Sequence, residues 1–373
     1  MAPSSVSKII VCLAAVSSAF TQPQTRAFSP KVVSTEELGI VSDASLNRDS
    51  CGSVRIGDRA LWTCRDTQSS RIDLPIWSSS AAWTNFNQFG TPQTSMYSPK
   101  SQQPYFKPLS NECPNNSAGV CSDNSRWVIW PDSPPLVTKK QGSVVTAYSW
   151  IKRAHLKPDG SAYENDPRVS LYKFVYDTNQ RDRNTVPNMV IQNEEFWPTN
   201  SIPYGVYGNA VKDGYVYLWG QPSNKKVALA RVRVDDVENS SKYEFYQCGT
   251  WKSYRPTLDN GCVDVPHASA GGQGTFFFSA HWDRWVWIGQ SGFEIVADFF
   301  ITTSPGVEGP WDEPQLFYKG QTGTAPLPDY SLQAHPGLSY SGYMDSNSTF
   351  ISYTKQDKGG KYSTPLVRVN FDI

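Results

Sequence analysis

The chain of 373 residues carries no excess of charge: 34 lysines and arginines stand against 34 aspartates and glutamates, scattered rather than blocked. The basic footprint of a nucleic-acid binder is absent, so no nucleic-acid partner is expected. Beyond the first twenty residues, no segment approaches the roughly 20 consecutive apolar residues that a membrane helix needs. Helical periodicity is nearly missing as well. Proline and glycine number 27 and 26 and are spread evenly, which leaves no room for a long helix of period 3.6. No G-x-S-x-G elbow, phosphate-binding P-loop or dinucleotide fingerprint occurs, so serine-hydrolase, nucleotide and NAD chemistry are set aside.

The N-terminus is where an apolar run does occur. Residues 1–20 carry one lysine and then IIVCLAAVSSAF, followed by polar TQPQT, the composition of a cleaved secretory signal peptide. Residues 21–46 read as a lead-in arm and 47–373 as a single domain. Cys12 leaves with the signal. The other six cysteines fall into three close couples, Cys51 with Cys64, Cys113 with Cys121 and Cys248 with Cys262, as local disulfides of an oxidising compartment would. Asn115, Asn239 and Asn347 each open a glycosylation sequon. A secreted, extracellular glycoprotein is expected, monomeric and with no membrane partner.

Aromatic residues are plentiful, at 13% of the chain with 13 tryptophans and 19 tyrosines. Most such residues fill β-sheet cores, and those at strand ends can stack on the apolar face of a sugar ring. Trp130 in VIWPDSPP and Trp219 in YLWGQ lie at predicted strand ends and are the expected substrate-binding pair. A loose unit of Gly-containing strand, tight turn and aromatic strand recurs as CGSVRIGDRALWTCRDT, VVTAYSWIKRAHL, GNAVKDGYVYLWGQ, GQGTFFFSAHWDRWVWIG and PGLSYSGYMDSNSTFISYT. Outer-strand material follows each unit: LYKFVYD, VALARVRV, FEIVADFFITT and PLVRVNFD. Hairpins that cannot bury their own faces stack radially, at about 70 residues per unit. The expected fold is all-β, a five-bladed β-propeller, with a pair of β-sandwiches as the alternative.

One stretch, Asn47 to Gln68, is nearly symmetric: NRDSCGSVRIGDRALWTCRDTQ. A Gly-Asp pair between β-rich runs predicts a two-residue turn at Gly57-Asp58. Paired residues then have numbers that sum to 115, so Cys51 faces Cys64 and Asp49 faces Asp66 on the same side. Opposed Cβ atoms stand about 4.5–5.5 Å apart, and two carboxylates so close push one pKa up. Retaining glycosidases place their two carboxyl groups about 5–5.5 Å apart. A structural reading of the same residues has Asp66-Thr67 capping a turn and Asp49 paired with Arg48, Arg65 or a metal.

The succession RDSCGS, ALWTCRDT, YGNAVKDGYVYLWG, VALARVRV, EGPWDEP and YSLQAHPGLS resembles a family of secreted proteins catalogued as a domain of unknown function, the DUF4185 type. Some of its members are endo-D-arabinanases built as five-bladed propellers. The resemblance runs over most of the mature chain and implies a glycoside hydrolase whose catalytic pair is two first-blade aspartates, matching Asp49 and Asp66. Which of them would be the nucleophile stays open. The Cys51–Cys64 couple departs from the motif's usual form.

Other polar residues carry the competing readings. His267 in DVPHASAGGQG, His281 and Arg284 in SAHWDRW, and His335 in QAHPGLS lie near predicted inner strands. Were they to converge at the channel mouth, they would suit a lyase of the rhamnose–glucuronate type, with a His base and a cation on the enolate. Glu194-Glu195 reads as a solvated loop and Glu308 as part of a turn. The histidine spacings match no zinc motif; no cofactor is expected, a structural or channel cation such as calcium being the one metal left open. The lead reading is a glycoside hydrolase acting on a polysaccharide or glycan side chain, ahead of a lyase and of a non-catalytic glycan-binding propeller.

Overall fold

Short β-branched and aromatic runs joined by tight turns leave this chain little choice but antiparallel meanders. The computed structural model describes residues 28, 30–69, 77–98, 104–113, 120–292, 294–339, 347–359 and 361–372. The expected signal peptide and the sequon at Asn115 lie outside them. Apart from two single-turn 3₁₀ segments, the regular structure of the described residues is strand. Five sheets form the blades of a propeller.

The first blade runs outward from Gly52–Ile56 through Arg59–Cys64 to Ser80–Asn85. Blade two begins at Leu136–Gln141 and continues through Val144–Lys152, Val169–Asp177 and Val190–Trp197. In blade three Gly208–Lys212 is followed by Tyr215–Gly220, Ala228–Arg233 and Glu244–Gln247. Blade four comprises Gly271–Ser279, Arg284–Ser291, Asp298–Ser304 and Gln315–Lys319. Blade five consists of Asp329–Ala334, Ser348–Asp357 and Pro365–Asp372, with Lys31–Ile40 from the N-terminal arm as its outermost strand.

Two of the repeat units divide differently from the sequence pattern. VVTAYSWIK is the second strand of its blade, and the less apolar LVTKKQ is the first. In blade five PGL forms a 3₁₀ turn, and the inner strand is the preceding DYSLQA. Leu136–Gln141 is half-buried to exposed and Asp329–Ala334 is polar at half its positions, so neither reads as a continuous apolar and aromatic run.

Packing between blades is aromatic. Trp219 of blade three lies flat on Phe276 of blade four, ring centroids 4.2 Å apart. Gly208 makes that approach possible, since a Cβ there would sit 2.4 Å from the Phe276 ring. The ring of blades closes twice. Outside, Lys31–Ile40 pairs with Pro365–Asp372 and ties the N-terminal arm to the last blade. Inside, His335 bonds Ser53 Oγ of blade one at 2.8 Å through Nδ1 and Ser352 Oγ of blade five at 2.7 Å through Nε2. Burial pushes the imidazole down to about 3, so this latch is neutral.

Candidate active site

Gly57 takes φ 63°, the left-handed conformation that a tight hairpin turn asks of its first central residue. The register that follows is Gly52 opposite Thr63 through Ile56 opposite Arg59, resuming as Leu46 opposite Ser69 through Arg48 opposite Thr67. Every pair sums to 115. Between the two ladders the Cys51–Cys64 disulfide closes, and the Asp49 amide donates to the Asp66 carbonyl at 3.0 Å. The Arg65 amide donates to the Asp49 carbonyl, also at 3.0 Å, so the ladder is irregular between the two paired stretches while the register on either side is kept. Next to it, Ser50 is forced to φ 50° and Ser331 of blade five to φ 56°, and their hydroxyls bond each other at 2.6 Å. Strained, buried backbone of this kind is held by its surroundings and clusters at functional sites.

The two aspartates meet different surroundings. Asp66 accepts Arg126 Nη1 on Oδ2 at 2.9 Å, Arg126 Nη2 on Oδ1 at 2.6 Å and Trp130 Nε1 on Oδ1 at 2.9 Å. A bidentate guanidinium with an indole behind it fixes a carboxylate in position and orientation. Asp49 is only 9% exposed; its Oδ2 accepts the Tyr330 hydroxyl at 3.0 Å, and its buried Oδ1 has no partner. Burial, and then the charge of Asp66, push the Asp49 carboxyl up to about 7, against the opposing pull of Arg65, the Tyr330 hydrogen bond and Arg126. The Tyr330 phenol is itself pushed far up by burial and by Asp49, so it remains a donor. The two carboxyls thus differ: Asp49 is held toward its neutral form with one enclosed, unpartnered oxygen, and Asp66 is gripped on both oxygens.

Tyr330 joins this pair to a neighbouring cavity that neither aspartate lines. Arg65 of blade one makes an ion pair with Asp132, which precedes blade two, and lies over the Trp130 ring at 5.6 Å. Beside them opens a cavity of about 490 Å³ to which every blade contributes: Arg65, then Lys152, Tyr207 and Gln221, Gln273, and Tyr330. That volume lies in the range of small-ligand sites.

Of the residues singled out in the sequence, Asp49, Asp66 and Trp130 come together here. Trp219 does not: it is fully buried under Phe276 and Trp285, offers no face to a sugar and is a core residue. The lyase constellation does not assemble. His335 is the buried latch, His267 is exposed beside Glu313, and His281 sits in the exposed turn at the far end of blade four. Arg284, at that same end, pairs with Asp312 and covers Phe28. Arg48 turns away to Ser80 Oγ. Glu194 and Glu195 are exposed on an outer strand, and Glu308 accepts the Trp251 indole. Asn239 and Asn347 are exposed. The couples Cys113–Cys121 and Cys248–Cys262 are disulfides. Among the described residues no group of three or more His, Cys, Asp or Glu could hold a metal ion, and no helix is long and apolar enough to cross a membrane.

The site also contains residues that the sequence reading did not place in it: Arg126, Asp132 and Tyr330, and Arg65, which it named only as a possible partner of Asp49. Two of them were in view, Arg65 in the RD dipeptide and Asp132 in IWPDSPP. Arg126 and Tyr330 carried no local signal, because their partners lie 60 and 281 residues away.

The family model described as "Domain of unknown function (DUF5005)" matches residues 47–365. Comparison with curated proteins finds no match. Among solved structures, a proposed hydrolase from Bacteroides ovatus ATCC 8483 is similar over 90% of this chain and 87% of its own, at 16% identity and a TM-score of 0.59. An exo-β-1,3-galactanase from Phanerochaete chrysosporium, solved with β-1,3-galactotriose, is similar over 89% of this chain and 64% of its own, at 9% identity and a TM-score of 0.50. A family 117 glycoside hydrolase from Zobellia galactanivorans is similar over 91% and 90%, at 11% identity and a TM-score of 0.48. At these identities the likeness is one of fold.

Proposed function

The chain belongs to the DUF5005 family, and from the geometry of its propeller mouth we propose that it is a secreted glycoside hydrolase in which Asp49 and Asp66 are the catalytic pair. The observation that carries this reading is the unequal pair: two aspartates opposed across one hairpin, Asp49 pushed up to about 7 and Asp66 clamped by Arg126 and Trp130. Pairs whose surroundings differ in this way divide acid from base. The names of the Bacteroides and Phanerochaete proteins support hydrolysis as the chemistry of the fold.

In this mechanism the Asp49 carboxyl gives its proton to the glycosidic oxygen as the C1–O bond breaks. Asp66 faces the anomeric carbon and meets the positive charge that develops there. Cross-strand neighbours have Cβ atoms about 4.5–5.5 Å apart, a spacing compatible with the roughly 5–5.5 Å between the carboxyl groups of retaining enzymes. Asp66 forms the glycosyl ester. Asp49, now ionised, takes a proton from the water that releases it, and configuration is retained. Tyr330 donates to Oδ2 of Asp49, and Oδ1, enclosed in the free protein, must be opened by substrate binding for the proton to pass. Trp130 orients Asp66 and offers what remains exposed of its ring to the sugar. The signal sequence and three disulfides support action outside the cell.

The test is incubation of the mature protein with plant, fungal and bacterial glycans, with products read by mass and the first-formed anomer by NMR. Fragments whose summed mass exceeds the substrate's by one water per bond cleaved, released with retained configuration, are expected. Unsaturated products without that gain would make the protein a lyase, and binding without cleavage would make it a lectin.

A further inference from the structure

Asp49 and Tyr330 meet across the seam where the ring closes, between the first blade and the last. At that seam both segments abandon the alternation of an ordinary strand, in which successive side chains point to opposite faces. In blade five Tyr330 stands opposite Thr354 and Gln333 opposite Ser352, so Ser331 and Leu332 together oppose Tyr353 in a bulge. Ser331 takes φ 56° there, and on the facing segment Ser50 takes φ 50°. Two neighbours thereby meet two neighbours. Tyr330 donates to Asp49 Oδ2 at 3.0 Å, and the Ser50 and Ser331 hydroxyls bond each other at 2.6 Å. A third bond crosses the same seam, from the Ser50 amide to Thr354 Oγ1 at 2.7 Å, and Thr354 is the residue paired with Tyr330. Ser50, Ser331 and Thr354 are all buried. Each side is also anchored behind the seam. Cys51, next to Ser50, is fixed by its disulfide to Cys64, and the Leu332 amide, next to Ser331, donates to Gln290 Oε1 of blade four at 3.4 Å. Ring closure has other means, since His335 and the outer strand Lys31–Ile40 already join the ends of the ring. Strained backbone on both sides of one contact persists where its surroundings over-determine it, and it clusters where a functional group is being placed.

We propose that Ser50, Ser331 and Thr354 are positioning residues, which hold the Tyr330 hydroxyl on Oδ2 of Asp49 so that the proton donor of the reaction is set by a seam between blades. This deepens the hydrolase reading and rests on it for the role of Asp49. The three act through Tyr330. Its hydrogen bond favours ionised Asp49, so loosening the seam moves the Asp49 titration up. The other charged or titratable groups that act on Asp49 or Tyr330 are Asp66 and Arg65 from the first hairpin, Arg126 from Arg126–Val128 and Tyr362 from Lys361–Ser363. Removing a seam hydroxyl alters none of these residues, so a changed titration reports the Tyr330 contact.

The titration is read by carbon NMR on the whole mature protein carrying labelled aspartate, the Asp49 resonance being identified by its loss in Asp49→Asn. Thr354→Val and Ser331→Gly each delete one hydroxyl of the seam. Glycine also fits the left-handed backbone at position 331, so that variant should fold. Both changes should move the Asp49 titration up by about half a pH unit or more. Thr354→Ser keeps the hydroxyl and should titrate as the wild type does. In a Tyr330→Phe background neither change should add to the shift that Tyr330→Phe makes alone, because residues acting through one contact are not additive. A titration that stays put or moves down in either variant, even with a lower urea midpoint, overturns the proposal; so does a full further shift in the Tyr330→Phe background. Initial rates on the glycan that the panel identifies separate this inference from the hydrolase reading. An alkaline limb of kcat/KM that follows the shifted titration supports both. A shifted titration with no glycan cleaved keeps the positioning role and removes the hydrolase, and a cleaving enzyme whose Asp49 titration ignores the seam does the reverse.

Discussion

Asp49→Asn should make the protein more stable at neutral pH, by an amount that depends on pH in a defined way. In the folded chain the Asp49 carboxyl is pushed from its ordinary 3.8 up to about 7. Between those values the native state holds a proton that the unfolded state has released. Stability therefore falls as pH rises through this window, and the stabilising contribution present below about pH 4 is gone above about pH 7. One pKa unit corresponds to about 1.4 kcal/mol, so the full titration removes about 4 kcal/mol from the wild type that the asparagine variant does not lose. The assay is urea denaturation of both proteins at pH 4, 5, 6, 7 and 8. His335 titrates with the opposite sign, because its folded pKa is depressed to about 3 and its contribution grows as pH rises toward 6.5. It is present in both proteins and cancels in the difference. The variant's advantage should grow steadily to about pH 7 and then level off. A difference that is flat with pH, or one in which the wild type gains on the variant, would refute the argument that Asp49 is held against its charged form.

Other outcomes follow from the same contacts. Tyr330→Phe removes the hydrogen bond that favours ionised Asp49, so the alkaline limb of the kcat/KM profile should move up by about one pH unit or more; an unmoved limb would take Asp49 out of the acid role. Replacing Cys51 and Cys64 by alanine should lower stability by about 3 kcal/mol in denaturant titrations and depress turnover further, since the bridge pins the register that opposes the aspartates. Trp219→Ala should destabilise by about 3–5 kcal/mol as a cavity in a packed core, whereas Trp130→Phe should spare stability and reduce kcat by loosening Asp66.

What the sequence made legible was local. A Gly-Asp turn fixes the register of the strands it joins, so the opposition of Asp49 to Asp66 and of Cys51 to Cys64 could be counted from residue numbers. Those relations need only short-range geometry. The mouth itself is made by contacts between blades. Tyr330 reaches Asp49 across 281 residues, and nothing in PDYSLQAH distinguishes its hydroxyl from any other. Trp130 and Trp219 looked alike, each an aromatic at a strand end. Only the facing blade separates them, since Phe276 covers one while the other finds the carboxylate of Asp66. His335 seemed a catalytic candidate for a related reason. A buried polar side chain near the axis is as useful for joining blades as for chemistry, and two serine hydroxyls decide the matter for this one. The five-fold repeat was visible in its aromatic second strands, while the polar inner strands of blades two and five were hidden behind them.

The most direct measurement of the central claim is the initial rate of reducing-end release by wild type, Asp49→Asn and Asp66→Asn, at matched folded fraction, on the glycan that the panel identifies. The account predicts a loss of at least about 10²–10⁴-fold in each variant, with both folded and Asp49→Asn the more stable at neutral pH. A folded Asp66→Asn or Asp49→Asn protein that retains wild-type turnover would contradict it.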